Sequence, residues 1–220
     1  MALNCDCPLP SVLPNMLDVL CPQDFDQVVK IAFQKPQADA PFTSIDPITD
    51  VDSWVALASA SDETKVVFSP PLSNVTIPAS EATYVGENSN ESVNGLGFYM
   101  GENNVRITGE IVSASQAVAD ALEELSCYSD TTLGASSLTA YLFTRRIKGT
   151  AGVIAKDGSV AGDHAGIEIF NFRISSVSSE GYQSKNKYMI AFDVQPDALK
   201  GTSLSKISFN PLALANVVTT

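Results

Sequence analysis

Apolar and polar positions alternate through much of this chain, and the alternation predicts strands. KYMIAFDVQ (187–195) places Tyr188, Ile190, Phe192 and Val194 on an inner face, with Lys187, Ala191 and Asp193 outward. In IEIFNFRISSV (167–177), Phe170, Phe172 and Ile174 form an apolar face opposite Asn171 and Arg173. LTAYLFTRRI (138–147), GTAGVIAKDG (149–158) and SKISFNPL (205–212) are further strands bounded by Gly, Ser, Asn or Asp. QVVKIAFQ (27–34) is predicted to bury Val29, Ile31 and Phe33 and to turn Val28, Lys30, Ala32 and Gln34 the other way. TKVVFS (64–69) and NVTIP (74–78) flank Pro70-Pro71, which predicts a bend or an edge position because proline cannot donate to a ladder.

One stretch changes period. In NNVRITGEIVSASQAVADALEELSC (103–127), Val105, Ile107 and Ile111 have strand spacing, whereas Ala117, Val118, Ala121, Leu122 and Leu125 make one helical stripe. This predicts an amphipathic helix over about 114–127, started by Ser113 three residues before Gln116 or by Ser115. Burying Val118, Leu122 and Leu125 against a sheet contributes on the order of 1.5–3 kcal/mol each. A shorter helix is expected in DVDSWVALASA, capped by Asp52 or Ser53, with Trp54, Leu57 and Ala58 inside. The polar run Gly86, Glu87, Asn88, Ser89, Asn90, Glu91, Ser92, Val93, Asn94 and Gly95 reads as an exposed loop or the tip of a long hairpin.

Pro8, Pro10, Pro14 and Pro22 limit regular structure at the start, so residues 1–24 are expected to form an extended proline-rich N-terminal arm. Residues 25–220 are expected to form a single mainly β domain of about eight to ten strands around one core. The predicted architecture is an antiparallel β-sandwich or barrel with one packed helix.

Charge adds an asymmetry. The net charge is −12, and residues 1–105 hold 14 acids against only Lys30, Lys35 and Lys65. Such a field repels phosphates and argues against nucleic-acid binding through this half. No uncharged apolar run approaches the roughly 20 residues that span a bilayer, and MALNCDCPLP lacks the basic and apolar regions of a secretory signal. No membrane association and no export are therefore expected. Cys5, Cys7, Cys21 and Cys127 are read as thiols, Cys127 as a packing residue; one residue between Cys5 and Cys7 does not give zinc-ligand spacing.

Candidate chemistry is sparse. His164 is the single histidine, expected to be solvated beside Asp163 in a glycine-rich loop, and no nucleophile motif surrounds it. NGLGFYMG lacks the lysine of a phosphate loop, and AKDGSVAGDHAG lacks the alternating acids of a calcium loop. No enzyme activity, cofactor or metal is expected.

The order of elements, a long loop between strands, one amphipathic helix and then a run of strands, resembles the tail tube (major tail) proteins of long-tailed bacteriophages. CPQDFDQVVKIAFQK, DSWVALASASDETKVVFSPPLSNVTIPASEATYVGENSN and RITGEIVSASQAVADALEELSCY also look like virion structural proteins of Bacteroidetes phages, and cover about a third of the chain. The resemblance implies a structural subunit that self-assembles into stacked rings, commonly hexamers, around a channel used in DNA ejection. It implies a virion location after assembly in the host cytoplasm, other virion tail proteins as partners, and DNA that passes through without specific binding. A negative wall would leave the duplex mobile. On this reading the helix packs outside the barrel, while residues 86–95 and the N-terminal arm reach neighbouring subunits.

Two alternatives stand beside it. A head, neck or connector component would share the acidity. A β-sandwich glycan-binding module would use Tyr84, Phe98, Tyr99 and Trp54 as an exposed aromatic platform.

Overall fold

A computed structural model describes residues 27–36, 42, 48–86, 97–112, 115–128, 138–145, 151–157, 163–175, 187–199 and 204–209. The expected arm 1–24 with its three cysteines, the loop from Glu87 to Gly95, and Ser113 lie outside the described residues.

The fold is mainly β, and every ladder is antiparallel. In chain order the elements are β1 (Val28–Gln34), α1 (Val51–Ser59), β2 (Val66–Phe68), β3 (Leu72–Thr76), β4 (Ala82–Val85), β5 (Phe98–Glu102) and β6 (Val105–Val112). There follow α2 (Gln116–Tyr128), β7 (Leu138–Arg145), β8 (Ala151–Asp157), β9 (His164–Ala165), β10 (Ile167–Ile174), β11 (Lys187–Val194), a 3-10 turn (Pro196–Leu199) and β12 (Leu204–Phe209). One sheet runs β12-β8-β7-β10-β11-β6-β3, with β1 and β2 branching from β7 and β9 from β8; β4 and β5 form a separate hairpin. Among the described residues the large sheet is not closed. The segment Val66–Thr76 pairs with β1 through β2 and with β6 through β3, and Pro70-Pro71 marks the change of partner. At that change Ser69 stays on β1: its N–H donates to Ile31 O at 2.8 Å and its Oγ accepts from Ile31 N–H at 3.0 Å.

Both faces of the sheet are covered around β1, β7 and β8, where one covered face was expected. Leu138, Ala140 and Leu142 of β7 join a larger cluster with Ile31, Phe33, Phe172 and Phe192. The alternate residues Tyr141 and Phe143 join a smaller aromatic cluster with Trp54, Phe42 and Ile48. Alternation of side chains along a strand puts these clusters on opposite faces. The expected single core is thus two layers sharing one sheet. Helix α2 packs on β10 over the first, and α1 packs on β2 beside the second.

Two bulges explain where the periodicity misassigned faces. In β10 the buried residues are Ile167, Ile169 and Phe172, while Phe170 and Ile174 are half-buried. The ladder to β11 slips between Phe170 and Arg173, where Asn171 takes φ 52°; an extra residue there reverses the alternation. In β1 a slip between Val28 and Lys30 moves Val28 into the cluster of Ile31 and Phe33. Lys30, Ala32 and Gln34 are buried too, because this strand has neighbours on both edges and layers on both faces.

The cap of the first helix shifts, and of the two candidates for the second, Ser115 is at its start. Helix α1 is capped by Asp50, whose Oδ1 accepts from Asp52 N–H at 3.3 Å while Ser53 Oγ donates to Oδ2 at 3.2 Å. At the start of α2 the amides of Val118 and Ala119 donate to Ser115 O, both at 3.1 Å. Leu122 is buried, and Val118 and Leu125 pack half-buried against the core. Ala119 is the second buried position; Ala117 and Ala121, expected in the stripe, are exposed.

Candidate interaction surface

The β4–β5 hairpin stands apart from the large sheet. Its ladder pairs Ala82 with Glu102 and Val85 with Phe98, with a bulge between Thr83 and Tyr84. Polar bonds fix its root: Ser80 Oγ donates to Glu102 Oε2 at 3.0 Å, Thr83 Oγ1 to Asn103 Oδ1 at 2.8 Å, and Asn103 N–H to Glu81 O at 2.9 Å. Beyond the root the hairpin is apolar and uncovered. Phe98 is 61% exposed and Met100 67%, and Tyr84, Val85 and Tyr99 are exposed with them. Tyr84 and Tyr99 meet edge to face at 5.8 Å, so the pair is held as one projecting ridge. Large apolar residues exposed together on a hairpin make it the candidate contact surface, because leaving them wet forfeits the burial that stabilises the rest of the fold.

A cleft of about 890 Å³ lies between α2 and the β1–β2 edge. Phe33, Val66, Phe68 and Leu138 line it from the sheet, and Val118, Ala121 and Leu125 from the helix. Lys30, Lys35 and Lys65, all the bases of the acidic half, border this same cleft. Asp62, Glu63 and Glu124 border it as well. Asp62 is occupied by Thr64, whose hydroxyl and amide both donate to Oδ1 and hold its carboxyl below the usual range. Lys30 is 6% exposed, and burial lowers its ammonium below the usual lysine value. No carboxylate is ion-paired to Lys30 among the described residues.

Other singled-out residues do not converge. Trp54 is 1% exposed: its Nε1 donates to Ile48 O at 2.9 Å, and its ring touches Phe42, Tyr141 and Phe143. It is therefore absent from any surface shared with Tyr84, Phe98 and Tyr99, and the four-aromatic platform does not form. His164 is buried at 4%, not solvated, since its amide donates to Phe42 O at 2.7 Å and its carbonyl accepts from Phe42 N–H at 3.3 Å. Cys127 is exposed, not packed, with its thiol 3.7 Å from Glu123 O. Among the described residues no three metal-ligating side chains cluster, and no helix is long and apolar enough to cross a membrane.

Periodicity missed the burial of Lys30. The available signal was that Val28 and Ala32, the apolar neighbours on its predicted face, made QVVKIAFQ apolar on both sides, as a central strand is. The hairpin's exposure had no signal, because FYM reads equally well as a core strand. Comparison with protein-family models, with curated proteins and with solved structures finds no match.

Proposed function

We propose that this chain is a structural subunit of a bacteriophage virion, the tail tube protein, which self-assembles into stacked rings around a DNA channel. The observation that carries the reading is the β4–β5 hairpin. Its apolar ridge has no cover in the large sheet, and the polar run 86–95, which lies between its two strands in the sequence, is the segment expected to reach a neighbouring ring. A subunit whose surfaces are completed by its neighbours accounts for such a ridge, whereas a lone protein would be prone to aggregate through it. The open sheet is consistent with a sandwich or barrel completed on assembly, and the arm 1–24 is proposed to exchange with adjacent subunits. The acid-rich half would line the lumen, where a negative wall repels the duplex and leaves it free to move.

Negative-stain microscopy of the purified chain tests this. Rings or tubes support it, and a strict monomer at high protein concentration overturns it. Labelled particles separate the positions within a virion: signal repeating along the tail supports a tube subunit, and signal only at the neck makes the chain a connector.

A further inference from the structure

Two acids of the large sheet each bind an asparagine that stands where a ladder slips. Asp193 accepts from Asn171 and is ion-paired to Arg106. Glu110 accepts from Asn74, whose Nδ2 lies 2.9 Å from Oε2, and the same oxygen lies 3.7 Å from Lys187 Nζ. The two groups differ in one chemical respect. A guanidinium stays protonated in proteins and is no nucleophile, whereas a lysine amine becomes one once a base takes its proton. Glu110 thus gathers an amine and a carboxamide at a single oxygen. We propose that Lys187 and Asn74 are a modification site at which the chain links itself, through an isopeptide bond between Nζ and Cγ formed with Glu110 as general base and acid.

The sheet order β11-β6-β3 sets the three side chains in a row. Glu110 is the register partner of Met189 on one side and of Ser73 on the other, and Lys187 pairs with Val112, one same-face position along β6. The side chains of Lys187 and Glu110 are only 27% and 24% exposed, which holds the pair close to the attacking geometry. Asn74 is exposed, so the leaving group has a way out. Glu110 takes a proton from the Lys187 ammonium, and Nζ attacks Cγ of Asn74 to form the Nζ–Cγ bond. The Cγ–Nδ2 bond then breaks as Nδ2 receives that proton and leaves as ammonia, while Nζ sheds its second proton to Glu110 and on to water. No group is oxidised or reduced, and no co-reactant is needed. The bond would pass over β6 and tie β3, the end of the sheet path, to β11. Closing so long a loop of chain keeps an edge strand from peeling away.

Mass spectrometry of the intact, folded full-length chain tests this, and the result does not depend on whether the chain assembles. The mass should fall short of the sequence mass by one ammonia, and a tryptic digest should hold a branched peptide joining Lys187 to Asn74, uncut after Lys187. Lys187→Arg and Asn74→Ala, each checked for folding by circular dichroism, should have their full sequence masses. Asn74→Asp should lose one water in place of ammonia, because the same attack on a carboxyl group releases water. Glu110→Gln keeps the amine and the carboxamide and should leave most of the chain unlinked; linkage undiminished there removes Glu110 from the chemistry. A folded wild type at its full mass overturns the bond. So does an ammonia deficit that survives in Lys187→Arg, since it would then come from the backbone amide of Val75 closing on Asn74.

Discussion

The side-chain amide of Asn171 donates to Asp193 Oδ2 at 2.8 Å, tying the left-handed bulge residue of β10 to the strand beside it. Arg106 of β6 reaches the same carboxylate from the other side, Nε to Oδ1 at 2.8 Å and a terminal nitrogen to Oδ2 at 3.2 Å. Three adjacent strands are thus pinned at one acid. A similar arrangement recurs in β3, where the ladder to β6 slips between Ser73 and Thr76 and Asn74, also at φ 52°, donates to Glu110 Oε2 at 2.9 Å. Asparagine suits both places, because it tolerates the left-handed conformation and supplies a donor.

The first prediction concerns Asp193. Burial pushes its carboxyl up, but the bonds from Arg106 and Asn171, with the charges of Arg106 and Arg173, outweigh burial and hold it below the usual range. A folded value below the unfolded one means that the group stabilises the fold above the unfolded pKa of about 3.9 and ceases to do so as pH falls through the folded value. Asp193→Asn should therefore lower the urea midpoint at neutral pH, with the gap to wild type closing below about pH 4. A gap independent of pH would remove the ionised carboxylate from the account.

Trp54 gives a second prediction. It is the only tryptophan and lies within 4.8–5.2 Å of the rings of Phe42, Tyr141 and Phe143. Native fluorescence should be blue-shifted and should move red on unfolding in one step. Trp54→Ala should cost about 3–5 kcal/mol in denaturant titration, the usual range for emptying a packed aromatic site.

A third follows from the approach of two strands. A Cβ placed on Gly166 would sit 2.5 Å from Thr139 Oγ1 and 2.6 Å from Thr139 Cβ. Thr139 cannot yield freely, because it is buried and its hydroxyl donates to Gln34 O at 3.1 Å. Gly166→Ala should destabilise by about 1–3 kcal/mol through overpacking, measured against wild type by thermal or urea unfolding.

These sites show how far the sequence is readable. The strands KYMIAFDV and LTAYLFTR follow from period two, and Tyr188, Ile190, Phe192 and Val194 are buried as their alternation requires. What the pattern cannot carry is a change of phase. Asn171 and the slip at Val28 each insert a residue, and from there the predicted faces of Phe170, Ile174 and Val28 shift. Burial on both faces of β1 has a similar cause: alternation distinguishes wet from dry only where one side is wet. For the interaction surface the acid excess was legible, but the cleft was not. It is assembled from β1, β2 and α2, elements whose juxtaposition no local spacing encodes.

The last prediction joins charge to function. Ten bases follow residue 105, and the described ones include Arg106, Lys156 and Lys187, which lie 2.8, 2.9 and 3.7 Å from Asp193, Glu168 and Glu110. Cations already matched to carboxylates release few counterions on meeting a duplex, and counterion release is what drives non-specific DNA binding. The acid-rich half opposes approach outright. Duplex DNA in a mobility assay should therefore run unretarded at low salt, where any electrostatic attraction would be largest. Retardation that weakens as salt is added would mean that the basic side chains are available to phosphates, and a channel lined by this chain would then hold DNA in place instead of letting it pass.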